Sequence, residues 1–128
     1  MKYESNRPIY LQVMDSLKQK MVSREIRPGD QLPSTRLLAV EYDINPNTAA
    51  RVYKELEQEG ICFTRRGEGT FVTDDPVLIK NIREEAALSI TRRFIKDMKG
   101  LGYDMKEAIQ KIQEEGEHYD SIKDRKAD

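Results

Sequence analysis

The run from Asn45 to Gly60 leaves the backbone little choice. Asn45 suits a helix N-cap, because its side-chain oxygen can accept from a free N–H of the first turn. Pro46 suits the first helical position, where its missing N–H costs nothing and its fixed φ already matches the helix. Ala49, Val52, Tyr53 and Leu56 then fall at i, i+3, i+4 and i+7, and Gly60 is placed to end the helix in a left-handed conformation. A helix bounded at both ends, with one apolar stripe, packs that stripe on neighbours and presents its polar side outward.

Its neighbours can be read in both directions. Upstream, Ser34 can cap a short helix through Thr35 to Glu41, and Tyr42-Asp43-Ile44-Asn45 joins the two helices tightly. Further upstream, Pro8 suits a first helical position, with Ile9, Val13, Leu17 and Met21 at four-residue intervals and Tyr10 and Met14 alongside. Pro28-Gly29 breaks that first helix and leaves room for a short extended piece with Leu32. Downstream, Ile61–Thr64 and Thr70–Val72 are β-prone runs around Arg65-Arg66-Gly67-Glu68-Gly69, a hairpin with a glycine-rich tip. Three helices followed by a hairpin predict a winged helix-turn-helix, an α+β fold that is mainly α.

At Asp74-Asp75-Pro76 a helix-initiation signal restarts the pattern, which places a module boundary there. A long helix is expected to about Lys99, broken by Gly100-Leu101-Gly102, and a shorter one follows from the capping-box pair Asp104 and Glu107 through Met105, Ala108, Ile109 and Ile112. The expected organisation is a DNA-binding domain over 1–75, a two-helix dimerisation region over 76–116, and a charged, disordered tail over 117–128. The stripe Ile79, Ile82, Ala86, Ile90 and Phe94 on the long helix has little else of its own to cover it and is the candidate homodimer surface.

The 128 residues allow one modest core and exclude a large multidomain enzyme. With a net charge of −1 the chain has no global basic field, so nucleic acid must be held by a local patch. Catalysis is not expected. The single histidine, His118, lies in the charged tail far from the single cysteine, and there is no phosphate-binding glycine loop, no zinc-ligand spacing and no sign of a cofactor. Cys62, beside Ile61 and Phe63, reads as a small buried thiol. The N-terminus lacks a signal-peptide core and no stretch approaches the roughly 20 apolar residues of a membrane span, so a cytoplasmic protein is expected.

A helix-turn-helix presents the start of its second helix to the DNA major groove. Asn47, Thr48 and Arg51 occupy the exposed first turns there, with Asn45 at their head. Asn can pair with adenine and Arg with guanine, while Thr can touch a phosphate or a thymine methyl. Arg36 and the N–H groups near Ser34 suit phosphate contacts at the positive end of the preceding helix. Arg65 and Arg66 rise toward Gly67, whose missing side chain lets a wing approach a sugar-phosphate edge or minor groove. Glu55, Glu57 and Glu59, late in the helix, would repel DNA and fix which end enters. The plainer alternatives are a solvated helix face for Asn47 and Arg51, a hairpin edge charged against strand pairing for Arg65 and Arg66, and a winged helix used only for protein contacts.

Taken together, Gly29-Asp30-Gln31-Leu32-Pro33-Ser34-Thr35-Arg36, Asn45-Pro46-Asn47-Thr48, Leu56-Glu57-Gln58-Glu59-Gly60 and Arg65-Arg66-Gly67-Glu68-Gly69-Thr70-Phe71-Val72 resemble the GntR family over roughly residues 8 to 72. Two positions where many GntR relatives carry arginine correspond to Pro46 and Ala50 here, and the Asn-Pro-Asn-Thr start with a short two-helix C-terminal region looks like the YtrA-like subfamily. The resemblance implies a dimeric regulator of double-stranded operator DNA, a repressor by the usual expectation, and an association with membrane-transporter genes. A small-molecule effector is not identified by the resemblance: two short helices can hardly enclose a drug-sized cavity, which leaves the space between subunits as the place where one could bind.

Overall fold

A computed structural model describes residues 1–127, with side chains through residue 122. The element order is α1 (Ile9–Val22), α2 (Thr35–Tyr42), α3 (Pro46–Gln58), β1 (Cys62–Arg65), β2 (Gly69–Val72), α4 (Pro76–Gly100) and α5 (Met105–Ala127). The winged helix-turn-helix followed by two helices is therefore the observed architecture. The chain divides into one unit over Met1–Glu85 and a second from Ala86 onward.

In the first unit the caps expected for α2 and α3 are formed. Ser34 Oγ accepts from the Leu37 N–H at 3.2 Å, and Asn45 Oδ1 accepts from the Asn47 N–H at 2.8 Å. Pro8 is the N-cap of α1 rather than its first residue: its ψ of 139° is extended, and the helix starts at Ile9. Ile9 is consequently the first residue of the helix and exposed, whereas Val13, Met14, Leu17 and Met21 are buried. Their burial is against Leu38, Ala39 and Tyr42 of α2 and Ala49, Val52, Tyr53 and Leu56 of α3, with Leu32, Ile61, Cys62 and Val72 closing the core from the hairpin side. α2 ends at Asp43 in the left-handed region (φ 51°), where the Ile44 N–H donates to Ala39 O at 2.9 Å. A short acidic side chain tolerates that conformation better than most, and it turns the chain directly into the cap of α3.

The antiparallel pair β1–β2 has the register Cys62↔Val72, Phe63↔Phe71, Thr64↔Thr70 and Arg65↔Gly69. β1 lies one residue later than its expected span and β2 begins one residue earlier than expected, because Arg65 and Gly69 pair and the turn is closed by the Glu68 N–H to Arg65 O at 2.9 Å. The segment after Pro28-Gly29 is the short extended piece expected there. It lies along the free edge of β2, with the Leu32 N–H on Thr70 O at 2.8 Å and the Val72 N–H on Asp30 O at 2.9 Å.

Past the hairpin, Asp75 Oδ1 caps α4 through the Val77 N–H at 2.9 Å, as the sequence predicts. The unit nonetheless continues beyond Asp75 to Glu85, because Ile82 is buried in the winged-helix core and Ile79 packs against it. In the second unit the capping box of α5 is present in both directions: the Glu107 N–H donates to Asp104 Oδ1 at 2.8 Å and the Asp104 N–H to Glu107 Oε1 at 3.2 Å. The sequence places the end of this helix at Gly116 and a disordered tail beyond it, but α5 continues through Gly116 to Ala127, and residue 128 lies outside the described residues. A single interior glycine costs only about 1 kcal/mol relative to alanine, too little to stop a helix whose flanks are good helix formers.

Candidate nucleic-acid interface

The apolar side of α3 is fully committed to the core, and its other side, Asn47, Ala50, Arg51 and Lys54, is exposed. Thr48 is half-buried. Two further contacts fix the helix in place: the Tyr53 hydroxyl donates to Pro33 O at 2.5 Å, and Lys18 of α1 pairs with Glu59 at 3.2 Å. Burial raises the Tyr53 phenol far above its ordinary value, so it stays a donor and ties α3 to the start of α2. Asn45 is engaged through Oδ1 as the cap, which leaves its amide N–H groups available.

The three late acids are less free than the sequence suggests. Glu59 is held by Lys18, Glu57 accepts from the Thr64 hydroxyl of the hairpin, and Glu55 lies 3.9 Å from Arg51 Nε. Arg51 also lies over a ring: its guanidinium carbon is 3.7 Å from the centroid of Tyr10. Tyr10, on the first turn of α1, is a residue that sequence periodicity assigns simply to the packing side of that helix.

On the hairpin, the register places Phe63, Arg65 and Phe71 on one face. The two rings stack at 6.0 Å and the Arg65 guanidinium lies 5.3 Å from each, so this arginine is drawn over the aromatic face of the wing. Arg66 and Gly67 form the tip, and Arg66, like Arg36 and Lys54, has no ion-pair partner among the described residues. Gly67 has φ +80°, the conformation the turn requires and one that side chains rarely take. The wing is anchored by Gln31, unremarked in the sequence except as part of a motif: its side-chain amide donates to Glu68 O at 2.9 Å, and a Cβ on Gly69 would stand 2.6 Å from that nitrogen.

Arg36 is exposed on the first turn of α2, beside Ser34, whose hydroxyl oxygen is engaged in the cap. On geometry alone, then, Ser34, Arg36, Asn45, Asn47, Thr48, Arg51, Arg65, Arg66 and Gly67 all belong to the first unit, at the helix starts and the hairpin tip. Cys62 is buried, its thiol pushed up to about 12 by burial and then by Glu57, and it donates weakly to Tyr53 O at 3.8 Å.

The candidate dimer residues separate into two sets. Ile82 is buried in the winged-helix core and Ile79 is half-buried against it, where the first turns of α4 lie: Leu78 Cδ1, for instance, is 3.8 Å from where a Cβ on Gly60 would stand. Ala86 and Ile90 are exposed, Ile90 to 71%, and Phe94 is half-buried. In the second unit Ala108 is the one hydrophobic residue that reaches full burial among the described residues, while Leu88, Leu101, Met105, Ile109, Ile112 and Tyr119 are exposed. Phe94, Met98, Ile112 and Tyr119 also line an open apolar groove of about 490 Å³ between the second half of α4 and α5. No helix among the described residues is long and apolar enough to cross a membrane.

The sequence profile of the gntR family of bacterial regulatory proteins matches residues 9–72, which is half of the chain. Over 110 residues the chain is 38% identical to the uncharacterized HTH-type transcriptional regulator YhcF of Bacillus subtilis, covering 86% of this chain and 91% of that one. It is 45% identical over 71 residues to the HTH-type transcriptional repressor YtrA of the same organism, covering 56% of this chain and 55% of YtrA. Among solved structures, a GntR family transcriptional regulator from Listeria monocytogenes superposes with a TM-score of 0.80 at 32% identity, over 88% of this chain and 98% of that one. The chain thus belongs to the GntR family of bacterial regulatory proteins and is a DNA-binding transcription regulator, not an enzyme.

Proposed function

We propose that this regulator binds an inverted-repeat operator as a homodimer and represses the genes beside it. The observation that carries the reading is the division of α3. One side is wholly buried, and the other carries Asn47 and Arg51 on the exposed first turns, while Arg36 and Arg66 have no ion-pair partner among the described residues. Asn47 and Arg51 read base edges in the major groove; Thr48 and the free amide of Asn45 add polar contacts at the same helix start. Arg36 and the N–H groups at Ser34 hold one phosphate run, and Arg66, Gly67 and Arg65 bring the wing to the neighbouring backbone or minor groove.

The dimer is formed by the second unit. Two helices that leave Leu88, Ile90, Leu101, Ile109 and Ile112 in water gain from a second copy, which would cover Ala86, Ile90 and Phe94. In this reading the DNA-binding domain of residues 1–75 extends to Glu85 and the dimerisation region begins at Ala86. Two-fold symmetry then demands half-sites about one helical turn, roughly 10 bp, apart or a multiple of it. The regulated genes are those of a membrane transporter, which the YtrA-like sequence supports, and the protein acts in the cytoplasm, where its operator is.

Selection of binding sites from a random DNA pool with the full chain tests the reading. An inverted repeat is the expected product. Arg51→Ala should cost about 1–3 kcal/mol per half-site and relax selectivity at one symmetric pair of positions. Recovery of an asymmetric single site, or of no preferred sequence at all, refutes it; the latter outcome would favour a module that contacts only proteins.

A further inference from the structure

We propose that Tyr10 of α1 is a specificity-determining positioning residue: its ring is a fixed platform on which the Arg51 guanidinium lies flat, so that its edge is presented to DNA in one orientation. The inference rests on the reading of Arg51 as a base-contacting residue. Arginine reads guanine with two N–H groups in the plane of the guanidinium, and that plane must be set correctly. A long exposed side chain otherwise samples many rotamers and loses that freedom on binding.

Four observations support the platform. The guanidinium carbon stands over the Tyr10 ring, 3.7 Å from its centroid, a separation at which the group can lie flat on the ring with its in-plane donors directed away from it. Arg51 makes no hydrogen bond among the described residues, and 56% of its side chain is exposed, so the edge is open. The ring itself is half-buried and packed on the core of the first unit, so it cannot swing away with the arginine. Glu55, 3.9 Å from Nε on the next turn of α3, steadies the inner end of the group and leaves the two terminal nitrogens free. Lysine at position 51 would supply the charge but neither the plane nor the fork.

The test is a double-mutant cycle on the full chain, with the operator recovered from the random pool and the same operator altered in both half-sites. Tyr10→Phe keeps the ring and should bind within about twofold of the parent. Tyr10→Leu should weaken operator binding about 3- to 30-fold, the range of a cation–π contact, and narrow the discrimination against the altered site. In the Arg51→Ala background the Leu substitution should add less than about twofold. Before DNA is added, Arg51 side-chain proton resonances should lie upfield through the Tyr10 ring current and move downfield in Tyr10→Leu.

Equal losses in the parent and Arg51→Ala backgrounds would overturn the proposal, making Tyr10 a general packing residue. Tyr10→Phe as weak as Tyr10→Leu would also overturn it, by placing the hydroxyl on the DNA. So would unshifted Arg51 resonances in the parent, or an Arg51→Ala chain that binds and discriminates normally. Failure of the parent chain to select any operator refutes the underlying reading as well, whereas selection without coupling between positions 10 and 51 refutes the platform alone.

Discussion

Gly69→Ala probes how the wing is held, and its cost can be worked from two separate terms. Gly69 has φ +124°, a region that side chains rarely enter, so the backbone strain is about 1–3 kcal/mol wherever the new methyl goes. The methyl would also stand 2.6 Å from Gln31 Nε2, which must move and give up its 2.9 Å bond to Glu68 O. That bond is exposed and worth about 0.5–1.5 kcal/mol. The sum is about 1.5–4.5 kcal/mol, of which only the strain survives once Gln31→Ala has removed the obstructing amide. Urea unfolding of the parent, both single variants and the double variant should therefore give a coupling of about 0.5–1.5 kcal/mol between positions 31 and 69. Equal costs of Gly69→Ala with and without Gln31→Ala would refute the argument that the amide anchors the hairpin. Anisotropy titrations on the same variants connect the anchor to function, since a loosened wing should weaken DNA binding even where the fold remains intact.

Other expectations follow from the same contacts. A chain ending after Glu85 should be a folded monomer in sedimentation, whereas one ending after Asp75 loses Ile82 and should be destabilised by about 1.5–3 kcal/mol in urea unfolding. Arg36→Ala and Arg66→Ala should weaken binding to all sequences alike and lower the salt dependence by about one counterion per phosphate contact, measured by titrations at several salt concentrations. The Cys62 thiol, raised from an ordinary value of 9.0 to about 12, should resist thiol reagents in the native state at pH 8. Because its folded value is the higher one, its contribution to stability is complete below pH 9.0 and declines as the pH rises toward about 12, a fall that Cys62→Ala should lessen in unfolding series, most clearly below the ordinary value of 10.0 above which the raised Tyr53 phenol adds its own decline.

Much of this molecule is written locally. The caps at Ser34, Asn45, Asp75 and Asp104 are short-range hydrogen bonds between residues at most three apart, so the residue types and their spacing suffice to place four helix starts. The stripe on α3 is equally legible because helical periodicity alone separates Ala49, Val52, Tyr53 and Leu56 from Asn47 and Arg51. Local signals misled where a neighbour supplied the deciding energy. Asp75-Pro76 starts a helix but not a new packing unit, since Ile79 and Ile82 find their apolar surroundings on the winged-helix core, and no pattern within α4 distinguishes that core from a second copy. Gly116 carries a stop signal that is too weak alone to end α5. Tyr10 over Arg51 and Gln31 against Gly69 join residues 41 and 38 positions apart, and their meeting depends on how α1 crosses α3 and how the edge of β2 is covered. Helix ends and buried faces were thus determined by sequence, through short-range bonds and periodicity; which polar side chains meet was decided by tertiary packing, because contact across such separations depends on the path of the whole chain.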